Sequence, residues 1–477
     1  MAYYERKITR RRLMTMGVGA VTTAAMMGGN MRKGWAGEPA VQVLNPGEAT
    51  AAIYEKGSAP VPVWAYNGSV PGPVLRVGRN QPLHFRLQND LPQPTSIHWH
   101  GIRIDNAMDG VSGMTQVPVA QGESFDYRFS APDAGTYWYH PHHRSWEQMA
   151  RGLYGALIVE EDVPPEVDHD LLFIADDWRL AQDGTLDVSS FGAMGDHSHG
   201  GRLGNWLTIN GRTSPVFDVR SNDRIRMRCI NTANARIMSF RFDGMTGHLV
   251  ALDGQPLAAP RTGLTEITLS PAQRVDLILD VTAKPGARLA VWEVSTGQAY
   301  EAASFQVGEQ PGERQQPIPD PVILQANVLA VPSLDNAVGI DLLMEGGAMG
   351  GMQSAMYGGK VLDIRDLVAQ GMVWAFNGVA GRTGTPLMTV KRGQTAVINM
   401  INQTSWPHAM HLHGHHFKVV ERNGRATEGA PWRDTELVEA NERVAIAFVA
   451  DNPGKWLFHC HMLEHQAAGM ITWLEVL

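Results

Sequence analysis

Apolar and polar side chains alternate along many short stretches of this chain. In Arg224-Ile-Arg-Met-Arg-Cys-Ile230, arginines alternate with apolar or small residues, which is the period of a strand whose two faces differ. Gly and Pro separate such stretches, and the 3.6-residue period of amphipathic helices is almost absent. The pattern predicts an all-β protein built from Greek-key sandwiches or barrels.

The pattern occurs three times. Each copy places Asn-Gly after an aromatic or apolar residue and follows it with a strand that starts at a proline, as in a repeated hairpin unit. The copies are Tyr66-Asn-Gly68 with Pro73-Val-Leu-Arg-Val77, Ile209-Asn-Gly211 with Pro215-Val-Phe-Asp-Val219, and Phe376-Asn-Gly378 with Pro386-Leu-Met-Thr-Val390. We therefore predict three consecutive β domains at residues 41–162, 163–315 and 316–477, called here the first, second and third units. Residues 310–321, rich in Pro and Gln, are the expected linker.

Two further signatures recur in the units and differ in their histidines. Ile97-His-Trp-His-Gly101 in the first unit matches Met410-His-Leu-His-Gly414 in the third, whereas the second has Phe240-Arg-Phe-Asp-Gly244. Later, Gly135-Thr-Tyr-Trp-Tyr-His-Pro-His142 matches Gly454-Lys-Trp-Leu-Phe-His-Cys-His461, and the second unit has Gly286-Ala-Arg-Leu-Ala-Val-Trp-Glu293. The second unit has lost its histidines, and Pro141 stands where the third unit carries Cys460.

Composition agrees with a turn-rich β protein of several domains. The chain has 477 residues, 50 Gly and 28 Pro, which is long enough for two to four domains with their own cores. Only 18% of its residues are charged, against roughly 25% in an average domain.

The N-terminus has the features of an export signal. A basic region with Thr9-Arg-Arg-Arg-Leu-Met14 precedes a weakly apolar run of small residues from 17 to 29, which is typical of twin-arginine signals. The run is too short and too rich in Gly and Thr to span a membrane. We predict a signal peptide over residues 1–40, cleavage between 36 and 40, and a periplasmic protein exported by the twin-arginine machinery.

Charge argues against nucleic acid as a partner. The formal net charge is −8, and residues 1–36 contribute +6 from seven Lys or Arg and one Glu. The mature chain would therefore carry −14, which repels a phosphate backbone.

The chain has only two cysteines, Cys229 and Cys460. Cys229 lies within the alternating stretch quoted above and is expected to be a small buried core residue. Oxidising compartments permit disulfides, but a Cys229–Cys460 bond would consume a thiolate that residues 453–470 indicate as a metal ligand. We reject that disulfide.

Residues 453–470 contain the most informative motif of the chain. If 456–461 form a strand, His459 and His461 share one face and Cys460 points to the other. His465 and Met470 are close enough in sequence to approach the sulfur, and His408 is expected on the same side because odd numbers separate it from His411 and His413. Cys, His and Met together suit a blue-copper site with a weak axial thioether.

Four His-x-His pairs indicate a second metal site with several ions. Partners two positions apart on a strand share a face at roughly 6.6 Å, which suits the bridging of neighbouring ions. Imidazole binds several transition metals, but the adjacent thiolate and thioether set favours copper throughout. The pairs are His98/His100, His140/His142, His411/His413 and His459/His461.

These motifs together resemble the multicopper oxidases, the laccase-like family of three cupredoxin domains, over essentially the whole mature chain. The resemblance implies four copper ions, electron transfer from a small donor, and reduction of dioxygen to water. It places type 1 copper at His408, Cys460, His465 and Met470 and type 2 copper at His98 and His411. It places the type 3 pair at His100, His140 and His461, and at His142, His413 and His459.

The resemblance also implies catalytic roles. Cys460, His459 and His461 would carry electrons. Asp109, within Ala107-Met-Asp-Gly110, occupies the place of a proton-delivering aspartate in similar bacterial enzymes. The alternative is that Asp109 only forms a turn before Gly110. Many relatives carry Glu where this chain has Gln466, which cannot exchange protons. Glu464 is a possible substitute.

Two functional classes remain open from the sequence. The first is an oxidase of phenols or low-valent metal ions, and the axial Met470 favours easily oxidised donors. The second is a periplasmic copper-resistance protein that sequesters copper or oxidises cuprous ion, with phenol oxidation incidental. Soft ligands in two Gly-rich segments bear on this choice, although a solvated loop with incidental Met or His is the more ordinary explanation of each. The segments contain Met344, Met349, Met352 and Met356, and separately Met194, His197 and His199. The three units argue against a two-domain nitrite reductase. His143, His415 and His416 have no assigned role.

Overall fold

A computed structural model describes residues 39–54, 59–310, 312, 314–318 and 321–477. The predicted signal peptide lies outside the described residues apart from its last two positions. Strands make up most of the regular structure and the helices are short, as the alternating pattern predicts. The all-β prediction is confirmed.

The strands follow one another in three groups. The first group consists of β1 (Gln42–Leu44), β2 (Pro46–Ala51), β3 (Val61–Tyr66), β4 (Leu75–Gly78), β5 (Leu83–Gln88), β6 (His98–His100), β7 (Ser124–Phe129), β8 (Gly135–His140) and β9 (Gly155–Glu160). A 3-10 helix at Asn106–Met108 and helix α1 (Ser145–Gln148) interrupt it.

The second group consists of β10 (His169–Trp178), β11 (Trp206–Ile209), β12 (Val216–Val219), β13 (Arg224–Asn231), β14 (Met238–Phe242), β15 (Thr246–Leu252), β16 (Gln255–Leu264), β17 (Glu266–Leu269), β18 (Arg274–Asp280), β19 (Arg288–Glu293) and β20 (Tyr300–Val307). A 3-10 helix at Val188–Ser190 and helix α2 (Met194–Ser198) precede β11.

The third group consists of β21 (Val338–Gly346), β22 (Ser354–Tyr357), β23 (Lys360–Asp363), β24 (Trp374–Phe376), β25 (Met388–Val390), β26 (Thr395–Asn402), β27 (His408–Leu412), β28 (Phe417–Arg422), β29 (Arg425–Ala426), β30 (Trp432–Arg433), β31 (Thr435–Val438), β32 (Arg443–Val449), β33 (Gly454–Cys460) and β34 (Ile471–Val476). Helices α3 (Ile364–Ala369) and α4 (Leu463–Ala467) belong to this group.

Each group contains one sheet with an equivalent strand order. This sheet runs β4-β9-β8-β6 in the first group, β12-β20-β19-β14-β17 in the second and β25-β34-β33-β27-β31 in the third. The leading pair is parallel and the next pair antiparallel in every case, so the three groups share one connection pattern. The predicted unit boundaries after 162 and 315 fall between the groups and stay a prediction.

The three Asn-Gly turns have the same backbone and the same contacts. Their asparagines are left-handed, with φ of 52° at Asn67, 53° at Asn210 and 50° at Asn377, and the glycines that follow are also left-handed, the conformation of a type I′ hairpin turn. Each asparagine amide also bonds two backbone groups of a neighbouring segment. These belong to Asn45 and Val43, to Ile174 and Leu172, and to Leu343 and Asp341.

The first and third groups share one continuous apolar core, which includes Trp99 and Trp456, whereas most of the second group's core forms a separate cluster. Cys229 is buried in that separate cluster, as expected, and both cysteines are free. The shared core means that β6 and β8 face β27 and β33 across a packed interface, and these are the strands that carry the histidine pairs.

The described residues between β20 and β21 form no helix or strand. Leu324 nevertheless packs against the second group, and Asn327 bonds Ala134 and Gln255. Among the described residues, no helix has the length and apolar character needed to cross a bilayer.

Candidate metal centres

Strand register places the histidine pairs side by side. His98 lies opposite His140 where β6 pairs with β8, and His411 lies opposite His459 where β27 pairs with β33. Because alternate residues share a face, all four pairs turn toward the interface between the first and third units.

The eight histidines form one buried cluster. Within each of three sets, the nitrogens able to bind a metal lie within 4.8 Å of one another. The sets are His98, His100 and His411; His100, His140 and His461; and His142, His413 and His459. The structure thus brings together the residues of both type 3 groups and the pair His98 and His411, and it places His100 beside that pair.

Most of these rings use one nitrogen to bond the protein and turn the other to the cluster. A carbonyl oxygen can only accept a hydrogen bond, so the ring nitrogen beside it carries the proton and the opposite nitrogen keeps its lone pair. The bonded pairs are His98 Nδ1 with Asp109 O (2.9 Å), His411 Nδ1 with Asp434 O (2.8 Å), His140 Nδ1 with Pro141 O (3.0 Å) and His459 Nδ1 with Cys460 O (2.8 Å).

Several of the opposite nitrogens are buried without a hydrogen-bond partner. They include His98 Nε2, His100 Nδ1 and His411 Nε2, and His142 Nε2 is likewise buried and unpaired. Unpaired buried polar atoms are costly and rare. Here they converge on one space, which is the arrangement expected of metal ligands.

Burial also keeps the imidazoles in the ligating form. Desolvation, and then repulsion from neighbouring rings, lowers the pKa of His142, His411 and His413 well below the usual range. Burial lowers the pKa of His459 to about 4. Neutral imidazole is the form that binds metals.

The thiol site lies on the opposite face of β33. His408 Nδ1 and His465 Nδ1 are each 3.7 Å from Cys460 Sγ and 3.0 Å from each other. All three side chains are fully buried. Met470 is also fully buried, and its carbonyl accepts a hydrogen bond from Cys460 N at 3.1 Å. Three of the four residues predicted for a blue-copper site, His408, Cys460 and His465, therefore meet around one sulfur, and the backbone of Met470 lies beside them.

The thiol needs a cation to lose its proton. Burial raises the pKa of Cys460 to about 12. A metal that binds there would displace the proton, as thiolate ligation requires. His465 Nε2 lies 2.6 Å from the carbonyl oxygen of His199 and must donate to it. This fixes the tautomer in which His465 Nδ1 is free to ligate.

Asp109 lies in the cluster rather than at a surface turn. Its side chain is buried, His413 Nδ1 is 2.9 Å from one carboxylate oxygen, and His98 Nδ1 is 3.2 Å from the other. The preceding 3-10 helix and Gly110 bend the chain back so that the carboxylate reaches both rings.

Glu464 and Gln466 are both buried on α4. The carboxylate of Glu464 accepts hydrogen bonds from Asn234 Nδ2 at 2.8 Å and from Arg202 N at 3.1 Å. Burial raises the pKa of Glu464. The described bonds of this carboxylate join α4 to the second unit, so they give no support to Glu464 as a substitute proton donor.

Sequence reasoning missed a buried charged group beside the cluster. Asp434 is fully buried, with one carboxylate oxygen 3.3 Å from His100 Nε2. Arg274 donates to both of its oxygens at 2.7 and 2.5 Å. No pattern in the sequence singles this pair out, because β18 carries three charged residues, Arg274, Asp276 and Asp280.

The prediction that four methionines share one Gly-rich loop is wrong. Met344 is a buried core residue within β21, not part of a loop, because its position in the strand faces the core. Met349 and Met356 are exposed and Met352 is half-buried. The four methionines therefore do not form one soft cluster in a Gly-rich loop.

The structure also locates the candidate residues of the second Gly-rich segment and the three histidines without an assigned role. Met194 and His197 lie on helix α2 and His199 follows it, where a solvated loop was the alternative expected from the sequence. His415 and His416 are buried and His143 is half-buried.

Models of known protein families match three consecutive stretches of this chain. Three family models, each described as multicopper oxidase, match residues 49–163, 170–304 and 356–477. The chain belongs to the multicopper oxidase family. Its members are oxidoreductases that bind copper and use dioxygen and reducing substrates, and the cupredoxin-like fold predicted from the sequence is confirmed.

Three relatives show how far the similarity extends. Lac15 from a marine microbial metagenome is 40% identical, with a TM-score of 0.73 over 92% of this chain and 100% of that one. A multi-copper oxidase from Pseudomonas thermotolerans is 30% identical, with a TM-score of 0.78 over 92% and 99%. Multicopper oxidase MmcO of Mycobacterium tuberculosis is 28% identical over 95% of this chain and 90% of its own length. This chain therefore spans nearly the full length of these multicopper oxidases.

Proposed function

We propose that this protein is a laccase-like oxidase that takes single electrons from small reducing donors at the Cys460 site and reduces dioxygen to water at the histidine cluster. One observation carries the proposal: Cys460 lies between His459 and His461 on a single strand end. The sulfur faces one site and both flanking imidazoles face the other, so a few covalent bonds join the two sites.

The residues fit four copper ions. His408, Cys460, His465 and Met470 would hold type 1 copper, and His98 and His411 type 2 copper. The type 3 pair would be held by His100, His140 and His461, and by His142, His413 and His459. The unpaired buried ring nitrogens and the mixed sulfur and imidazole donors support this assignment. Bound copper would supply one-electron chemistry at the thiolate and the multi-electron reduction of dioxygen at the cluster.

The protein's own residues prepare both sites. Hydrogen bonds from one ring nitrogen to a backbone oxygen orient four of the cluster imidazoles before a metal arrives, those of His98, His140, His411 and His459. Complete burial excludes water and strengthens the electrostatic interactions inside. Asp109, bonded to His413, can hold a proton beside the cluster.

The donor is proposed to be an electron-rich phenol or a low-valent metal ion such as cuprous ion. A thioether ligand at Met470 keeps the type 1 potential moderate, which favours easily oxidised donors. Copper sequestration is less well supported, because Met344, one of the methionines expected to collect copper, is a core residue of β21.

Copper loading of matched cysteine variants tests the sites. We expect the wild-type protein to bind four copper ions per chain and to show intense blue absorption. Cys460→Ser should bind three ions and lose the blue absorption, because thiolate is the ligand that produces it. Cys229→Ala, which changes the other buried cysteine, should keep both. A copper-loaded wild-type protein without blue absorption would contradict the assignment.

Oxygen uptake with a phenol, cuprous ion and manganous ion on one preparation tests the donor. Turnover with phenol alone supports a laccase, and activity that appears only with excess copper indicates a metallo-oxidase. Stoichiometric copper uptake without turnover would indicate sequestration.

We also propose periplasmic localisation through twin-arginine export, supported by the sequence around Arg10, Arg11 and Arg12. Replacing Arg11 and Arg12 with Lys should leave the protein in the cytoplasmic fraction while its fold is retained.

A further inference from the structure

The end of helix α2 is fastened to the third unit by three consecutive carbonyl groups. His197 O accepts a hydrogen bond from Trp374 Nε1, Ser198 O from Ala348 N, and His199 O from His465 Nε2, each at 2.6 Å. The last carbonyls of a helix lack partners within the helix. Here groups from the third unit supply them, and one of these groups belongs to the Cys460 site.

These contacts close the outer edge of His465. Its Nδ1 faces Cys460, its Nε2 is covered by His199 O, and its side chain has no exposed surface. The ring of Trp374 lies 4.5 Å from the His465 ring and covers part of its face. A donor molecule therefore has no direct contact with His465 while α2 is in place.

The covering segment is held from both sides. Arg179 donates to both carboxylate oxygens of Asp196 at 2.6 and 2.9 Å, which ties α2 to β10 and its following turn. Such bidentate pairs are geometrically specific. On the other side, Trp406 Nε1 donates to Ala348 O, whose amide group holds Ser198. Residues 194–200, called here the cap, are thus a built element rather than a solvated loop.

The outer surface of the cap is accessible. The His199 side chain is exposed, and its ring lies 5.4 Å from that of Trp406, which is half-buried. An electron that enters from solvent by this route must cross the cap, and the His199 carbonyl is the cap atom bonded to His465.

We propose that the cap determines which electron donors the enzyme accepts. It excludes donors that must contact His465, and it admits donors that can transfer an electron while bound at the outer surface of the cap, at His199. This inference rests on the proposed function, since it concerns the donor side of that reaction. It names a segment of the second unit, which holds none of the proposed copper ligands, as a specificity determinant. The electron balance is unchanged: each donor loses one electron, and dioxygen is the final acceptor.

Two variants loosen the cap without changing a proposed ligand. Asp196→Ala removes the pair with Arg179, and replacement of residues 194–199 by six glycines removes helix propensity while keeping the chain length. Asp183→Ala is the matched control, because Asp183 is an exposed residue of the same unit that bonds only within its own turn. If the glycine variant does not fold, Asp196→Ala carries the test.

The first measurement is independent of activity. Diethyl pyrocarbonate acylates accessible neutral imidazoles, and mass spectrometry locates the label. In the copper-free wild-type protein, where no metal occupies His465 Nδ1, we expect His199 to react and His465 to be protected. Asp196→Ala should raise His465 labelling at least tenfold, and Asp183→Ala should not change it. Equal labelling of His465 and His199 in the wild-type protein would overturn the proposal.

The second measurement compares kcat/KM for a phenol and for hexacyanoferrate(II), which gives up an electron without bonding to the protein. Loosening the cap should raise the phenol value at least threefold relative to hexacyanoferrate(II). Faster His465 labelling with an unchanged ratio would overturn the role in donor selection. A wild-type protein that takes up no oxygen with either donor would contradict the proposed function instead, and the labelling would still report whether the cap covers His465.

Discussion

Asp109 is a buried acid whose side chain reaches two rings of the cluster from different units. Its carboxylate oxygens lie 2.9 Å from His413 Nδ1 and 3.2 Å from His98 Nδ1. An Asn side chain retains one oxygen of similar position but cannot take up and release a proton. The residue is therefore suited to proton delivery as well as to holding the rings.

We expect Asp109→Asn to slow oxygen reduction by about 100-fold or more, the usual contribution of general acid–base catalysis, while copper content and blue absorption are retained. Stopped-flow reoxidation of the fully reduced enzyme measures this step. Asp105→Asn, in the same turn but exposed, is the control. Unchanged reoxidation in Asp109→Asn would remove Asp109 from the mechanism.

A second buried acid, far from the cluster in sequence, links stability to pH. Burial, and then the neighbouring Asp177 carboxylate, raises the pKa of Asp176 well above its usual range. In the unfolded chain the group ionises near its ordinary pKa of 3.8. Above that pH the folded state holds a proton that the unfolded state has released. The free energy of unfolding therefore falls as pH rises, until the folded pKa is passed.

Asp176→Asn should remove this loss. We expect the variant's advantage over wild type to grow between pH 4 and pH 7, by up to about 1.4 kcal/mol per pH unit. Urea unfolding at each pH provides the measurement, and the exposed Asp335→Asn is the control. A difference between Asp176→Asn and wild type that does not vary with pH would contradict the raised pKa.

At the scale of elements, one glycine fixes how the turn after the 3-10 helix meets strand β6. Gly110 has φ of 79°, and a Cβ atom there would lie 1.8 Å from the carbonyl oxygen of Ile97, immediately before His98. Backbone cannot give way as a flexible side chain can. A side chain at this position must therefore displace both Asp109 and the start of β6.

Gly110→Ala is expected to lower the free energy of unfolding by more than about 3 kcal/mol and to reduce copper loading of the cluster. Gly122→Ala isolates the conformational part of this effect, because Gly122 has nearly the same φ, 80°, but open space around its Cβ position. Its cost should be about 1 kcal/mol. Thermal unfolding and metal analysis compare the two, and equal losses would show that the collision with Ile97 is relieved.

Sequence reasoning predicted elements that depend on local pattern. Alternation identified β13 and β33, and the Asn-Gly repeats identified three turns with the same φ values. It did not predict helix α2, since five residues carry no helical period and the segment's partners, Trp374 and Ala348, lie in another unit. Met344 was misplaced for a related reason: nearby Gly residues indicated a loop, whereas burial against the core extends β21.

At the scale of the whole molecule, the histidine groups were predictable because matched positions in two repeats share a face. The groups that support them were not. Asp434 and Arg274 come from different units, and no spacing rule relates them. Their contact exists only because the second unit packs against the interface between the other two.

Arg274 joins all three units at the cluster. Its guanidinium donates to both Asp434 oxygens in the third unit and to Thr136 O in the first, on the strand that carries His140. Asp434 in turn contacts His100 through its carboxylate and His411 through its carbonyl oxygen. The second unit therefore positions the cluster without contributing any of the proposed ligands.

Arg274→Met should leave Asp434 buried without its partner, with a loss of about 3–5 kcal/mol in the free energy of unfolding. Arg226→Met is the matched control, because Arg226 is equally buried and paired with Asp276 and Glu161 but contacts no cluster residue in the described bonds. Both variants should lose stability, but only Arg274→Met should lose cluster copper and alter the type 2 signal in electron paramagnetic resonance. Blue absorption should persist in both, since His408, Cys460 and His465 lie outside this network. Equal copper content and identical spectra in the two variants would show that Arg274 serves stability alone.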